Sequence, residues 1–114
     1  MYDRSDDKRA VRWAKKVKER DNFTCQICLR ADVYLNSHHM NSWDMFVKER
    51  YDLGNGVCLC HQCHDFFHSI YGKGRNTKFQ FKEFRDTISL IKGIAKKQVL
   101  RSVEPLEEVR HRNL

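Results

Sequence analysis

Two Cys-x2-Cys pairs, Cys25/Cys28 and Cys60/Cys63, constrain this chain more than any other feature. The tight turn of each pair aims two sulfurs at one point, and the two points must then meet. Four thiolates complete a closed tetrahedral zinc site. That closure leaves a second set of donors unspent, because the 31 residues from His38 to His68 also hold His38, His39, His64 and His68, with Asn55 among them. Two interleaved metal sites are therefore expected, a closed one that staples the fold and an open one built from imidazoles. Open metal sites are where chemistry is usually done.

Each residue has a plainer reading beside this one. The four cysteines can be read as small buried residues, although the x2 spacing occurring twice favours structural zinc. His64 and His68 can be read as completing a finger with Cys25 and Cys28. The 35 residues between Cys28 and His64 far exceed the roughly 12 of a C2H2 finger, which argues against it. Cys58, one residue before a ligand on a strand, is expected in the core. His61 reads as solvent-facing or as a phosphate contact, and Asn55, between Gly54 and Gly56, as a turn former or as a brace for a neighbouring loop. His111 lies in the tail and is assigned no role.

The chain has 114 residues, one domain's length (1–114), and 40% of them are hydrophobic, which gives a modest core that a metal would reinforce. Five cysteines cannot all pair, and Met1–Asp7 has no apolar secretory run, so reduced thiols in a cytoplasmic setting are expected. No apolar run approaches the roughly 20 residues that span a bilayer, and no membrane partner is expected. The net charge of +7 is uneven: +3 over residues 1–24, −2 over 25–68 and +6 over 69–114. Basic flanks around a slightly acidic, metal-rich segment suit a chain that grips a polyanion and presents it to a metal. Solvation of helix faces by Lys and Arg is the plainer account of the same pattern.

Periodicity predicts a basic N-terminal helix within residues 1–22, spanning 7–20, with Ala10, Val11, Ala14 and Val17 as its apolar stripe and Trp13 beside it. Asp21-Asn22 ends it, and the Cys25 knuckle opens a core segment over 23–72. Residues 33–39 read as a short strand ending at the two histidines. Residues 40–53 read as a connection anchored by Trp43, Met45, Phe46 and Tyr51. Gly54-Asn55-Gly56 is a turn signal, and 57–59 is a second strand. A helix follows from Cys60 or His61 to about Tyr71, with His64 and His68 one turn apart on one face. After the Gly72–Arg75 interruption, Thr77 and Gln80 fit a capping box that opens a basic C-terminal region, 73–114. Its helix is expected to run to about Ile91 with Phe81, Phe84, Ile88 and Ile91 buried, and to end or bend at Gly93. A short helix and loose tail carrying Lys96, Lys97, Arg101, Pro105, Arg110 and Arg112 would follow.

The order Cys25-x2-Cys28, His38-His39, Asn55-Gly56 and Cys60-x2-Cys63-His64-x3-His68 resembles the zinc-bearing HNH endonucleases over residues 20–72. Residues 71–77 and 81–84 add a fainter likeness to phage homing enzymes of that family. The resemblance implies an α+β fold, a small ββα-metal core with a four-cysteine structural zinc, flanked by N- and C-terminal helices. It further implies that His38 binds a catalytic metal together with His64 and His68, that His39 is the general base, and that Asn55 braces the loop carrying that base. The chemistry agrees with these roles. Phosphodiester hydrolysis needs a Lewis acid and a separate base, and a histidine outside the ligand set is poised for proton transfer near neutral pH.

The resemblance implies a small metal-dependent endonuclease, phage- or mobile-element-encoded, that nicks or cuts double-stranded DNA, in the cytoplasm and in the host's cytoplasm if the chain is phage-encoded. Its cofactors would be structural Zn2+ and a catalytic divalent ion, Mg2+, Mn2+, Ni2+ or Zn2+. Lys73, Arg75, Lys78, Lys82 and Arg85 are the expected DNA track, contacting phosphates rather than bases. Two rivals stand beside this reading. One is a non-catalytic zinc-ribbon DNA-binding module, which leaves the four histidines without work. The other is a weakly active nuclease subunit of a phage packaging complex.

Overall fold

The structure, a computed structural model, describes the backbone of residues 6–109 and the side chains of residues 6–95. The expectations for Lys96, Lys97, Arg101, Pro105, Arg110, His111 and Arg112 fall outside the described side chains. The elements are α1 (Lys8–Arg20), β1 (Leu35–His39), β2 (Gly56–Cys60), α2 (His61–Tyr71) and α3 (Lys78–Val109), with 3-10 turns at Val47–Glu49 and Leu53–Asn55. The chain divides into two compact units, Met1–Lys82 and Glu83–Leu114.

In the first unit, α1 starts where the Asp7 carboxylate accepts the N–H groups of Arg9 and Ala10, at 2.9 and 3.2 Å. These are two of the donors that a helix start leaves without intrahelical partners. Its buried stripe is Ala10, Trp13 and Val17. Val11, expected on that stripe, is exposed instead, because the large indole of Trp13 sets which face turns inward. Trp13, Val17 and Cys58 form the local core, with Ala14, Leu35 and Tyr51 packed against it. At the end of α1, Arg20 donates to the carbonyls of Leu53 and Gly56, at 2.6 and 2.7 Å. The Asp21 carboxylate accepts the Cys58 N–H at 2.9 Å, which completes a polar clip between helix and sheet.

The strands pair antiparallel, with His38 opposite Val57 and His39 opposite Gly56. Side chains alternate across a strand, so Leu35, Ser37 and His39 face α1 while His38 faces α2. The Ser37 hydroxyl donates to the Ala14 carbonyl at 2.6 Å, and the His38 ring meets Phe67 of α2 at 4.9 Å between centroids. The hairpin thus lies between two helices, both of which contact both strands. The first strand is shorter than 33–39, and the Gly54–Gly56 turn signal resolves into a 3-10 turn followed directly by β2. In the connection, Met45 is exposed rather than an anchor.

Gly72, at φ 83°, ends α2 in the left-handed region that favours glycine. The capping box that opens α3 forms as expected. The Thr77 Oγ1 accepts the Gln80 N–H at 3.1 Å and the Gln80 Oε1 accepts the Thr77 N–H at 3.0 Å. α3 runs past both Ile91 and Gly93, since a single glycine costs a helix only about 1 kcal/mol. In the second unit Phe84 is buried and Ile88 half-buried, but Ile91 is exposed, contrary to the expected stripe.

Candidate metal centres

Two groups of donors converge within the first unit. The sulfurs of Cys25, Cys28, Cys60 and Cys63 lie within 4.8 Å of one another, as do ring nitrogens of His38, His64 and His68. Among the described residues these are the groups of three or more metal-ligating side chains so placed.

The sulfur group is built by two knuckles. The Cys25 sulfur accepts the N–H groups of Ile27 and Cys28, both at 3.4 Å, and the Cys60 sulfur accepts the Cys63 N–H at 3.4 Å. Cys60 ends β2 and caps α2, so the sheet delivers one sulfur and the first helical turn delivers Cys63. Two sulfurs on one tetrahedral zinc, with bonds of about 2.3 Å, stand roughly 3.8 Å apart. Cys28 and Cys60 are 3.6 Å apart, so the set fits zinc in both chemistry and spacing.

The thiols are unequal. Burial pushes Cys25 up, but hydrogen bonds from the backbone of Cys28, Cys60 and Ile27 outweigh it and hold Cys25 at about 7. Burial, then the neighbouring sulfurs, raise Cys28 and Cys63 above the usual thiol value. Cys25 thus ionises more readily than Cys28 or Cys63, and a cation at the cluster favours ionisation of those two. Cys58 is fully buried, with its thiol raised by burial and then by the charge of Asp21, as expected of a core residue.

The imidazole group sits where α2 crosses the hairpin. His68 Nδ1 lies 2.8 Å from the Gly72 carbonyl, an acceptor only, so Nδ1 carries the proton and Nε2 keeps its lone pair. His68 Nε2 is 3.2 Å from His64 Nε2, close to the roughly 3.3 Å between two nitrogens bound to one metal. The His38 ring stands 5.2 and 5.6 Å from the His64 and His68 rings. Three converging imidazoles, with the His68 tautomer set by the Gly72 carbonyl, suit a transition metal.

His39 is held apart from that set. Its Nε2 lies 2.8 Å from the Arg50 carbonyl, which makes Nε2 the donor and leaves the lone pair on Nδ1. Its ring stacks on Trp13 at 3.8 Å and 12°, and meets the edge of Trp43 at 5.4 Å. Arg50 is fixed in turn, donating from Nε to the Trp43 carbonyl at 2.8 Å with its guanidinium 4.5 Å above the Trp43 ring.

Asn55 is 1% exposed and reaches across the loop. Its Oδ1 accepts the Asn41 N–H at 2.8 Å, and its Nδ2 donates to the carbonyls of Asn41 and Glu49 at 2.9 and 3.3 Å. Asn55 therefore spans the loop between His39 and Arg50 as a brace. His61 is exposed and pairs with Asp65 at 3.1 Å.

All four histidines line one cleft of about 620 Å³, together with Trp43, Asp44 and Lys73. Of the expected DNA track, Lys73 alone lines that cleft. The Arg75 N–H donates to Asp44, Lys78 is half-buried at the start of α3, and Lys82 is exposed. Arg85 belongs to the second unit and pairs with Asp86 at 3.3 Å.

Sequence reasoning missed the Trp13–His39 stack and the Arg50 carbonyl. The spacing of Ala10, Trp13 and Val17 at i, i+3 and i+7 would have placed Trp13 over the sheet. The Arg50 carbonyl carries no side-chain signal. The chain matches no family model, no curated protein and no solved structure.

Proposed function

We propose that this chain is a metal-dependent endonuclease of the HNH type, with a ββα-metal core formed by β1, β2 and α2, that hydrolyses phosphodiester bonds of double-stranded DNA. One observation carries the reading. A three-imidazole set and a fourth histidine outside it share one cleft, and the fourth has its tautomer set by the Arg50 carbonyl. A purely structural zinc protein has no use for that division of labour.

His38, His64 and His68 would hold a divalent ion, which would supply Lewis-acid stabilisation of the charge that develops on the phosphate. The protein's own residues do the rest. His39 Nδ1 takes a proton from water, the water oxygen bonds to phosphorus, the P–O3' bond breaks, and the departing 3'-oxygen takes a proton from solvent water, leaving 5'-phosphate and 3'-hydroxyl ends. The Arg50 carbonyl and the Trp13 face hold the ring for that transfer, and Asn55 holds the loop that carries Arg50. Lys73 supplies positive charge at the cleft wall. Four reduced cysteines around zinc suit a cytoplasmic site of action, the host cytoplasm if the chain is phage-encoded.

The test is cleavage of supercoiled plasmid by the wild type and by His39→Ala, in EDTA and then with Mg2+, Mn2+, Ni2+ or Zn2+ restored. Cleavage that needs a metal, and that falls by at least about a hundredfold in His39→Ala with circular dichroism and DNA binding kept, is expected. DNA binding without cleavage under any metal would transfer the chain to the zinc-stapled binding modules.

A further inference from the structure

A second opening in the first unit lies outside the histidine-lined cleft. It is a cleft of about 480 Å³ between α1 and the connection before β2, lined by Arg9, Arg12, Trp13, Lys16, Tyr51 and Leu53. Three cations and no carboxylate form its wall. We propose that this cleft is a second phosphate track, one that binds the phosphodiester backbone of the same DNA away from the scissile bond. The inference rests on the nuclease reading and extends it to a surface that the basic loop after α2 does not supply.

Arg9, Arg12 and Lys16 stand at i, i+3 and i+7 on α1, one face of the helix. Seven helical residues rise about 10 Å, which matches roughly three nucleotide steps at 3.4 Å along one DNA strand. Arg9 is already positioned. Its guanidinium lies 4.2 Å above the Tyr51 ring and donates to the Tyr51 hydroxyl at 3.1 Å, and that hydroxyl donates to Asp7 at 2.6 Å. Arg12 and Lys16 are exposed, and among the described residues neither forms an ion pair. Guanidinium grips phosphate through paired N–H groups and ammonium as a point charge, so the two remain available to a polyanion.

The cleft also adjoins the chemistry through one side chain. Trp13 forms part of its wall and stacks on His39 by its ring face. A strand seated on Arg12 and Lys16 thereby lies beside the residue whose indole stacks on the proposed base.

The test is the salt dependence of binding to a DNA duplex in EDTA, for the wild type, for Arg12→Gln/Lys16→Gln and for Lys48→Gln, an exposed control outside both clefts. Each phosphate contact adds about 0.9 to the slope of log K against log salt. The double variant is expected to lose nearly two units of slope, with affinity falling uniformly across duplex sequences, while Lys48→Gln keeps the wild-type slope. Unchanged circular dichroism confirms that the fold is kept. A wild-type slope in the double variant, with wild-type binding intact, overturns the second track and leaves the nuclease reading standing. Equal loss in Lys48→Gln overturns it as well, since net charge alone then accounts for the effect. Absence of duplex binding by the wild type removes both.

Discussion

At Gly56 the backbone φ is −110°, which any residue adopts, so this glycine is present for room and not for conformation. A β-carbon there would stand 2.5 Å from Val17 Cγ2 and 2.6 Å from Trp13 Cζ2. Gly56 also lies opposite His39 in the hairpin, so the bare position lets the indole cross the sheet and rest flat on that imidazole. Gly56→Ala should therefore cost about 1–3 kcal/mol by overpacking, read as a lower denaturant midpoint. It should also reduce cleavage under conditions where the variant is fully folded, because the stack beneath His39 moves. Retained activity in folded Gly56→Ala would mean that the indole is packing alone.

Among the elements, the junction of β2 and α2 carries the most. Cys60 is at once the last residue of a strand, the cap of a helix and one of four converging sulfurs. Substitution separates these roles. Cys60→Ala removes both the cap, worth about 1 kcal/mol, and the sulfur, whereas Cys60→Ser restores an oxygen cap without the thiolate. If zinc is the staple, both variants lose bound metal and melt far below the wild type, and Ser recovers only about the value of the cap. Near-complete recovery of the melting temperature in Cys60→Ser would assign the junction's stability to the cap.

This junction also shows what the sequence made legible. Cys-x2-Cys knuckles, the i, i+4 histidines on α2 and the Thr77/Gln80 box are local patterns, and the structure realises each of them. The register of β1 on β2 and the inward face of α1 depend on contacts between residues distant in sequence, so Val11 was placed wrongly and the Trp13–His39 stack was not foreseen. Arg50 acts through its carbonyl, which no side-chain pattern reports. The apolar stripe of α3 was read too far because Ile91 keeps helical periodicity while standing in solvent.

For the whole molecule, the two donor sets differ enough for their metals to leave in separate stages. The imidazole set offers three ring nitrogens at the wall of an open cleft, and a metal there adds little to a fold already held by the hairpin and α2. The sulfur set joins the knuckle after α1 to the junction of β2 and α2, and two of its four cysteines, Cys25 and Cys60, are buried. Thiolate ligation in such a place contributes its binding free energy directly to folding. Millimolar EDTA should therefore abolish cleavage while one zinc per chain and the far-UV spectrum persist. A mercurial thiol reagent added next should release that zinc together with the helical signal, since the core around Trp13, Val17 and Cys58 is small. His64→Ala/His68→Ala should hold a single metal, behave as the EDTA-treated wild type and melt within a few degrees of it. If all metal leaves in EDTA in one step along with the fold, the two sets do not act as separate centres.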